Sequence, residues 1–255
     1  MAIYNGFGFK LSTMFFIAKS QFIRNILGVI FLFFVACDNP DERPDNAPYF
    51  QEEIGSYRIY EVNEDIYSTG EKNARSTKWF EKEEVMRAEK NSNGVSECLI
   101  SYSTRTKTTD YWQKTKEYKV SIYPDKVVQN RDNEIITSLI FPYSPTVEWN
   151  GYQFFTLNDK DPRYGYLFHY EDINKSLQID SLHFPTTLKV TERTDTTGPV
   201  LYRLGYKIYA PGVGLVMDMQ ADYDYLQVNG ELVDYRVIDK GVRRIRKIIG
   251  NGRNK

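Results

Sequence analysis

Cysteine is nearly absent from this chain: two in 255 residues, at positions 37 and 98. A disulfide framework of the kind that staples small secreted domains is thereby excluded, as are paired-cysteine metal motifs. Histidine is equally scarce, with His169 and His183 alone. There is no His-X-X-X-His, no Gly-X-Ser-X-Gly and no cofactor-binding fingerprint, so no catalytic, metal or cofactor residue is assigned. Net charge is also missing. The 33 Lys and Arg nearly cancel the 34 Asp and Glu, for a formal charge of −1, which argues against a dedicated nucleic-acid binder. Ten Pro and 16 Gly are ordinary numbers and exclude collagenous or low-complexity sequence. No apolar stretch reaches the 20 or so residues that a membrane-spanning helix needs.

What is present is unevenly placed. Residues 1–36 hold Lys10, Lys19 and Arg24, no acid, and eight of the 15 Phe. The remaining 30 bases and 34 acids give the rest a charge of −4. Ile26 to Val35 is a ten-residue apolar run that follows Arg24 and stops at Ala36-Cys37. Basic residues, a short apolar run and then a small residue are the order of a secretory signal peptide. Phe34-Val35-Ala36-Cys37 resembles a bacterial lipobox, although Phe34 stands where Leu is usual. The resemblance implies that the Cys37 thiol receives a diacylglycerol and that cleavage makes Cys37 the new N-terminus. Several acyl chains, at ~0.8 kcal/mol per buried methylene, would hold such a protein on a membrane almost permanently. Met14 offers an alternative start, since Met14 to Ala36 has normal signal-peptide length, and 1–13 then read as a mis-assigned prefix. With Cys37 alkylated, Cys98 in Ser96-Glu97-Cys98-Leu99-Ile100 is a single thiol, expected to be buried in a strand.

Residues 37–48 contain three Pro and four acids without apolar periodicity, as expected of a solvated acidic tether. From 49 to 255 the pattern is β. Alternating segments at Tyr57–Val62, Tyr111–Tyr123, Glu134–Phe141, Gly165–Tyr170, Leu177–Phe184, Thr187–Arg193, Val200–Tyr209 and Gly214–Tyr225 are separated by turn residues. Asn150-Gly151 and Asn229-Gly230 each predict a tight hairpin. Two segments are ambiguous. Trp79–Lys90 has helix-forming composition in a strand context. Val242–Ile249 spaces Val242, Ile245 and Ile249 as a helix does, or forms a last strand with a basic outer face. The expectation is a single antiparallel all-β domain with little helix, either a β-sandwich or an open curved barrel of the lipoprotein-carrier kind.

Tyr49-Phe50 with Ile54-Gly55-Ser56-Tyr57-Arg58-Ile59-Tyr60, Phe141-Pro142, Trp149-Asn150-Gly151 and Tyr209 to Val216 together resemble a group of uncharacterised Bacteroidetes lipoproteins. Gln51 and Arg58 depart from that group's usual Pro and Trp. The resemblance implies an address in the cell envelope, at the outer membrane, and no reaction. The acids after Cys37 are similar to the surface-export signal of such lipoproteins, and equally serve as a plain polar spacer. The segment Tyr209–Val216 is also similar to a rim turn of half-barrel envelope proteins, though a simple hairpin connection accounts for its Pro and Gly.

The expected function is a lipid-anchored, non-enzymatic binding or structural module. Its partner is the membrane, through Cys37, with a protein, glycan or lipid partner left open by the 19 Tyr that follow Cys37. Two alternatives stand. One is a carrier of an apolar ligand such as lipid, which requires a continuous apolar cavity. The other is a hydrolase, which requires His169 or His183 beside a Ser and an acid in a cleft. Asn158-Asp159-Lys160-Asp161 offers oxygen ligands but lacks a full calcium-loop spacing, so a solvated turn is expected. The bases Arg243, Arg244, Arg246, Lys247, Arg253 and Lys255, with no acid among 243–255, suggest either a solvated terminal element or a contact with anionic headgroups.

Overall fold

The computed structural model describes residues 49–254, apart from 155, 162 and 234–236. The proposed signal peptide at 1–36, the start at Met14, the tether at 37–48 and Cys37 lie outside the described residues.

Fourteen strands account for the described regular structure: β1 Ser56–Tyr67, β2 Arg75–Lys90, β3 Ser96–Arg105, β4 Gln113–Ile122, β5 Lys126–Arg131, β6 Glu134–Ile140, β7 Glu148–Trp149, β8 Phe168–Ile179, β9 Leu182–Asp195, β10 Leu201–Ala210, β11 Gly214–Tyr225, β12 Gln227–Val228, β13 Glu231–Leu232 and β14 Ile238–Arg253. No α-helix occurs among the described residues. Twelve strands form one antiparallel sheet in the order β6-β5-β4-β3-β2-β1-β14-β11-β10-β9-β8-β7, and β12 and β13 form a separate small hairpin. The chain is thus all-β, and of the two architectures left open by the sequence it is the curved barrel.

The two free edges meet. Thr137 N–H on β6 donates to the Gly151 carbonyl at 2.9 Å. The Trp149 indole N–H donates to the Thr137 carbonyl at 2.8 Å, and the Ile140 N–H donates to the Tyr170 hydroxyl at 2.9 Å. The sheet is nearly closed around its concave face, which satisfies polar edge groups that would otherwise template aggregation. Inside, Val85, Ile100, Val120, Leu139, Leu188 and Val190 pack with Tyr118, Trp149, Phe168, Tyr170 and Tyr209. Trp149 lies 5.7 Å from Phe168 and 4.9 Å from Tyr170, ring centre to ring centre. Aromatic pairs of this kind add ~0.5–1.5 kcal/mol each beyond the area they bury.

The barrel has two unlike ends. At the end where the described chain begins, the β2–β3, β4–β5, β8–β9 and β10–β11 connections are short. Tyr49 and Phe50 are buried there against the core. The opposite end carries the longer connections between Tyr67 and Arg75, Arg105 and Gln113, and Tyr225 and Ile238.

Several local expectations change. Trp79–Lys90 is strand, not helix, because pairing to β1 and β3 on both sides overrides its propensity. Val242–Ile249 is also strand, but its basic side chains do not all lie outside. Arg246 opposes Val62 and is only 3% exposed. Asn229-Gly230 makes the expected tight hairpin, with φ of 55° and 83°. Asn150-Gly151 does not: β7 pairs with β8, and the chain from 150 to 154 turns without forming a strand. A Cβ on Gly151 would lie 2.3 Å from the Phe168 ring, so glycine there permits close approach and not hairpin reversal. The segment Leu177–Phe184 is two strand ends joined by a turn at Asp180, whose φ is 48°.

Candidate functional site

The concave face holds charged as well as apolar and aromatic side chains. On β1, Arg58 and Tyr60 point inward; opposite them on β2 stand Glu83 and Glu81. Both glutamates are 1% exposed. Glu83 Oε1 receives Arg131 Nη2 at 2.7 Å from β5 and Arg246 Nη2 at 2.8 Å from β14, and its Oε2 faces Arg58 Nη2 at 3.4 Å. Glu81 is held by Arg246 Nε at 2.7 Å, by Arg244 Nη2 at 2.8 Å and by the Trp79 indole N–H at 3.0 Å. Rings cover the guanidinium faces: Arg246 lies 3.7 Å from the Tyr60 ring centre and Arg131 3.8 Å from that of Tyr118. Planar cations stacked on aromatic faces suit a space closed to water.

The network continues across the interior. Lys207 on β10 pairs with Glu192 on β9, and the Gln220 amide donates to Glu192 at 2.9 Å and to Asp218 at 2.9 Å. Toward the long-loop end, Arg203 meets Asp222 at 2.6 Å and Asp224 at 2.9 Å.

Burial alone would push the Glu83 carboxyl up, since it disfavours the charged form. The surrounding Arg246, Arg131 and Arg58 outweigh that and hold it well below the usual carboxylate range. The Tyr60 phenol moves the other way, pushed up to about 12 chiefly by burial. Glu83 is thereby held charged and Tyr60 neutral.

The residues singled out by sequence fall in scattered places. His169 lies on the outer face of β8, where Nε2 is 3.1 Å from Glu171 Oε1, and Lys189 Nζ occupies the other Glu171 oxygen at 2.6 Å. His183 is exposed beside the β8–β9 turn. Among the described residues neither makes the hydrogen bond to a serine that the hydrolase arrangement needs. Cys98 is buried, and burial pushes its thiol up to about 12, which suits an inert structural role. Asp161 is bound by Arg163 Nη2 at 2.8 Å and by its own loop backbone, as a solvated turn requires. Among the described residues no group of three metal-ligating side chains converges.

Tyr209–Val216 is a hairpin connection between β10 and β11. Gly212 and Gly214 have φ of 71° and 94°. Arg58 Nη1 donates to the Val213 carbonyl at 3.3 Å and the Tyr60 hydroxyl to that of Leu215 at 3.0 Å. The turn is thereby tied to the ion network, not left free as a rim. The basic C-terminal segment is likewise engaged. Arg244 and Arg246 are committed to Glu81 and Glu83, Arg243 stands 4.0 Å from Asp65, and Arg253 stands 2.9 Å from Glu53. Acids on β1, on β2 and just before β1 thus pair with four of the six bases, while Lys255 lies outside the described residues.

The Glu81–Glu83 pair is not apparent from composition; its signal in the sequence is the period-two parity that Glu81 and Glu83 share with Trp79 and Val85.

No protein-family model matches the chain, and no curated protein matches it. Solved structures do. The chain is similar to a candidate lipoprotein from Parabacteroides distasonis, with a TM-score of 0.42 at 13% identity over 81% of this chain and 99% of that one. It is also similar to a candidate exported protein with a YmcC-like fold from Bacteroides fragilis, with a TM-score of 0.40 at 11% identity over 80% of this chain and 100% of that one.

Proposed function

We propose that this chain is a lipid-anchored protein of the cell envelope, acylated at Cys37 and seated at the outer membrane. Its barrel acts there as a non-enzymatic binding or structural module. The anchor rests on the order of basic residues, short apolar run and Ala36-Cys37 in the sequence.

The observation that favours a module over a lipid carrier is the filled interior. Two buried glutamates, their arginine partners and a layer of aromatic rings occupy the space that a carrier would keep apolar and open. The described cavities lie at the ends of the barrel and in the β7–β8 connection, not through its centre. An apolar ligand placed against Glu83 would have to displace ion pairs at a cost of several kcal/mol. Scattered histidines, each without a serine partner, weigh against the hydrolase.

The test is replacement of Cys37. Cells expressing the wild-type chain and fed radioactive palmitate should show a labelled, processed band in the membrane fraction. Cys37→Ala should carry no label and remain as uncleaved precursor. Processing of the variant at the wild-type site, with label retained, would refute acylation at Cys37.

A further inference from the structure

The long-loop end of the barrel carries a cleft of about 670 Å³, within the roughly 300–1,000 Å³ usual for small-molecule sites. Its inner wall is Trp79, the inward-facing residue one step beyond Glu81 on β2, together with Thr104 and Gln113, which oppose each other on β3 and β4. Its outer wall is the β3–β4 loop, with Thr106, Asp110 and Tyr111. The Tyr111 ring is 94% exposed, an unusual state for a large amphipathic side chain on a loop that is otherwise held in place.

The walls are preorganised. The Trp79 indole N–H is bonded to Glu81 at 3.0 Å and the Arg244 guanidinium lies 5.6 Å from its ring centre. The buried network therefore sets the orientation of the indole at the mouth. Arg105 is sandwiched between the Trp112 ring at 4.2 Å and the Phe80 ring at 5.7 Å, and its buried Nε has no hydrogen-bond partner. The loop is closed by the Lys107 N–H donating to the Asp110 carboxylate at 2.8 Å.

The lining selects among ligands. An apolar molecule would leave the hydroxyls of Thr104, Thr106 and Thr109 and the Gln113 amide unpaired, which costs affinity. An anion would face Asp110, and a cation Arg105, so the two charges offset one another. What remains is a neutral molecule that presents both an apolar face and many hydroxyls. We propose that this cleft binds a neutral oligosaccharide. The Trp79 and Tyr111 rings would cover sugar C–H faces, while Thr104, Thr106, Gln113, Asp110 and Arg105 serve the hydroxyls. The inference rests on the binding-module function and gives it a ligand class.

The test uses the full chain, purified from membranes in a detergent without a sugar headgroup. It is applied to an array of neutral, sialylated and sulfated oligosaccharides of up to four units. Retention on neutral sugars is expected, weakened at least tenfold by Tyr111→Ala and by Thr104→Val. Tyr111 is exposed, so circular dichroism of its variant should match the wild type. Absence of retention, retention on anionic sugars alone, or equal retention of wild type and both variants would overturn the cleft. Palmitate labelling at Cys37 is read on the same preparations. Loss of sugar binding with labelling intact defeats the ligand and not the anchored module. Cleavage of a retained sugar supports the cleft and defeats the non-enzymatic function.

Discussion

Glu83 concentrates the physical peculiarity of this protein in one side chain. It is a buried carboxylate within ion-pair distance of three arginines from three different strands. Each of those charges is tolerable only while the others are present. Glu83→Leu should therefore cost about 3–5 kcal/mol, the usual penalty for leaving buried charge uncompensated, as read by urea unfolding monitored by tryptophan fluorescence. Because the Glu83 pKa is depressed in the folded state, its contribution is fully present above the ordinary carboxylate range and is lost as pH falls through the folded value. The variant should show a shallower loss of stability in acid than the wild type. A variant within 1 kcal/mol of wild type, with an unchanged acid slope, would mean the network is not what organises the interior. The charge was hard to read from sequence for a simple reason. Trp79, Glu81, Glu83 and Val85 alternate with outward residues as a half-buried strand should, but two of the four inward residues are acids, so a hydrophobicity pattern does not register them.

Among the elements, β7 and the turn after it close the barrel, and they were the least legible from sequence. Asn229-Gly230 and Asn150-Gly151 are the same dipeptide flanked by strand formers. The first adopts positive φ at both positions and reverses a hairpin. The second places its glycine under the Phe168 ring and lends its carbonyl to Thr137 across the seam. Local sequence specifies the first, and a contact with residues distant in the chain decides the second. Gly151→Ala should consequently destabilise by about 1–3 kcal/mol, the range for overpacking, measured by thermal or urea denaturation. An unchanged midpoint would show that the seam can yield without cost. The strands of the central sheet were largely visible in advance, because β1, β11 and β10 keep turn signals at their ends and alternate between them. The long runs β2 and β14 resisted because their inward faces hold Glu81, Glu83, Arg244 and Arg246.

At the scale of the whole molecule, two features meet. One is a Cys37 preceded by an export-like segment, legible only in the sequence. The other is a nearly closed barrel with an interior filled by ion pairs and aromatic rings and a long-loop end opposite the end where the described chain begins, legible only in the structure. The all-β class could be read from turn spacing. The choice of barrel over sandwich could not, since it depends on the Thr137–Gly151 and Trp149–Thr137 contacts between the first and last strands of the sheet. Strand register likewise places His169 on the outer face of β8 and His183 beside the β8–β9 turn, positions that turn spacing does not reveal. Anchorage is the claim on which the functional proposal depends, and the intact mass of the wild-type protein extracted from the membranes of its host tests it most directly. A mass equal to residues 37–255 plus a diacylglyceryl group and an amide-linked acyl chain is predicted. A mass equal to the unprocessed chain, or to an unacylated product cut elsewhere, would contradict it.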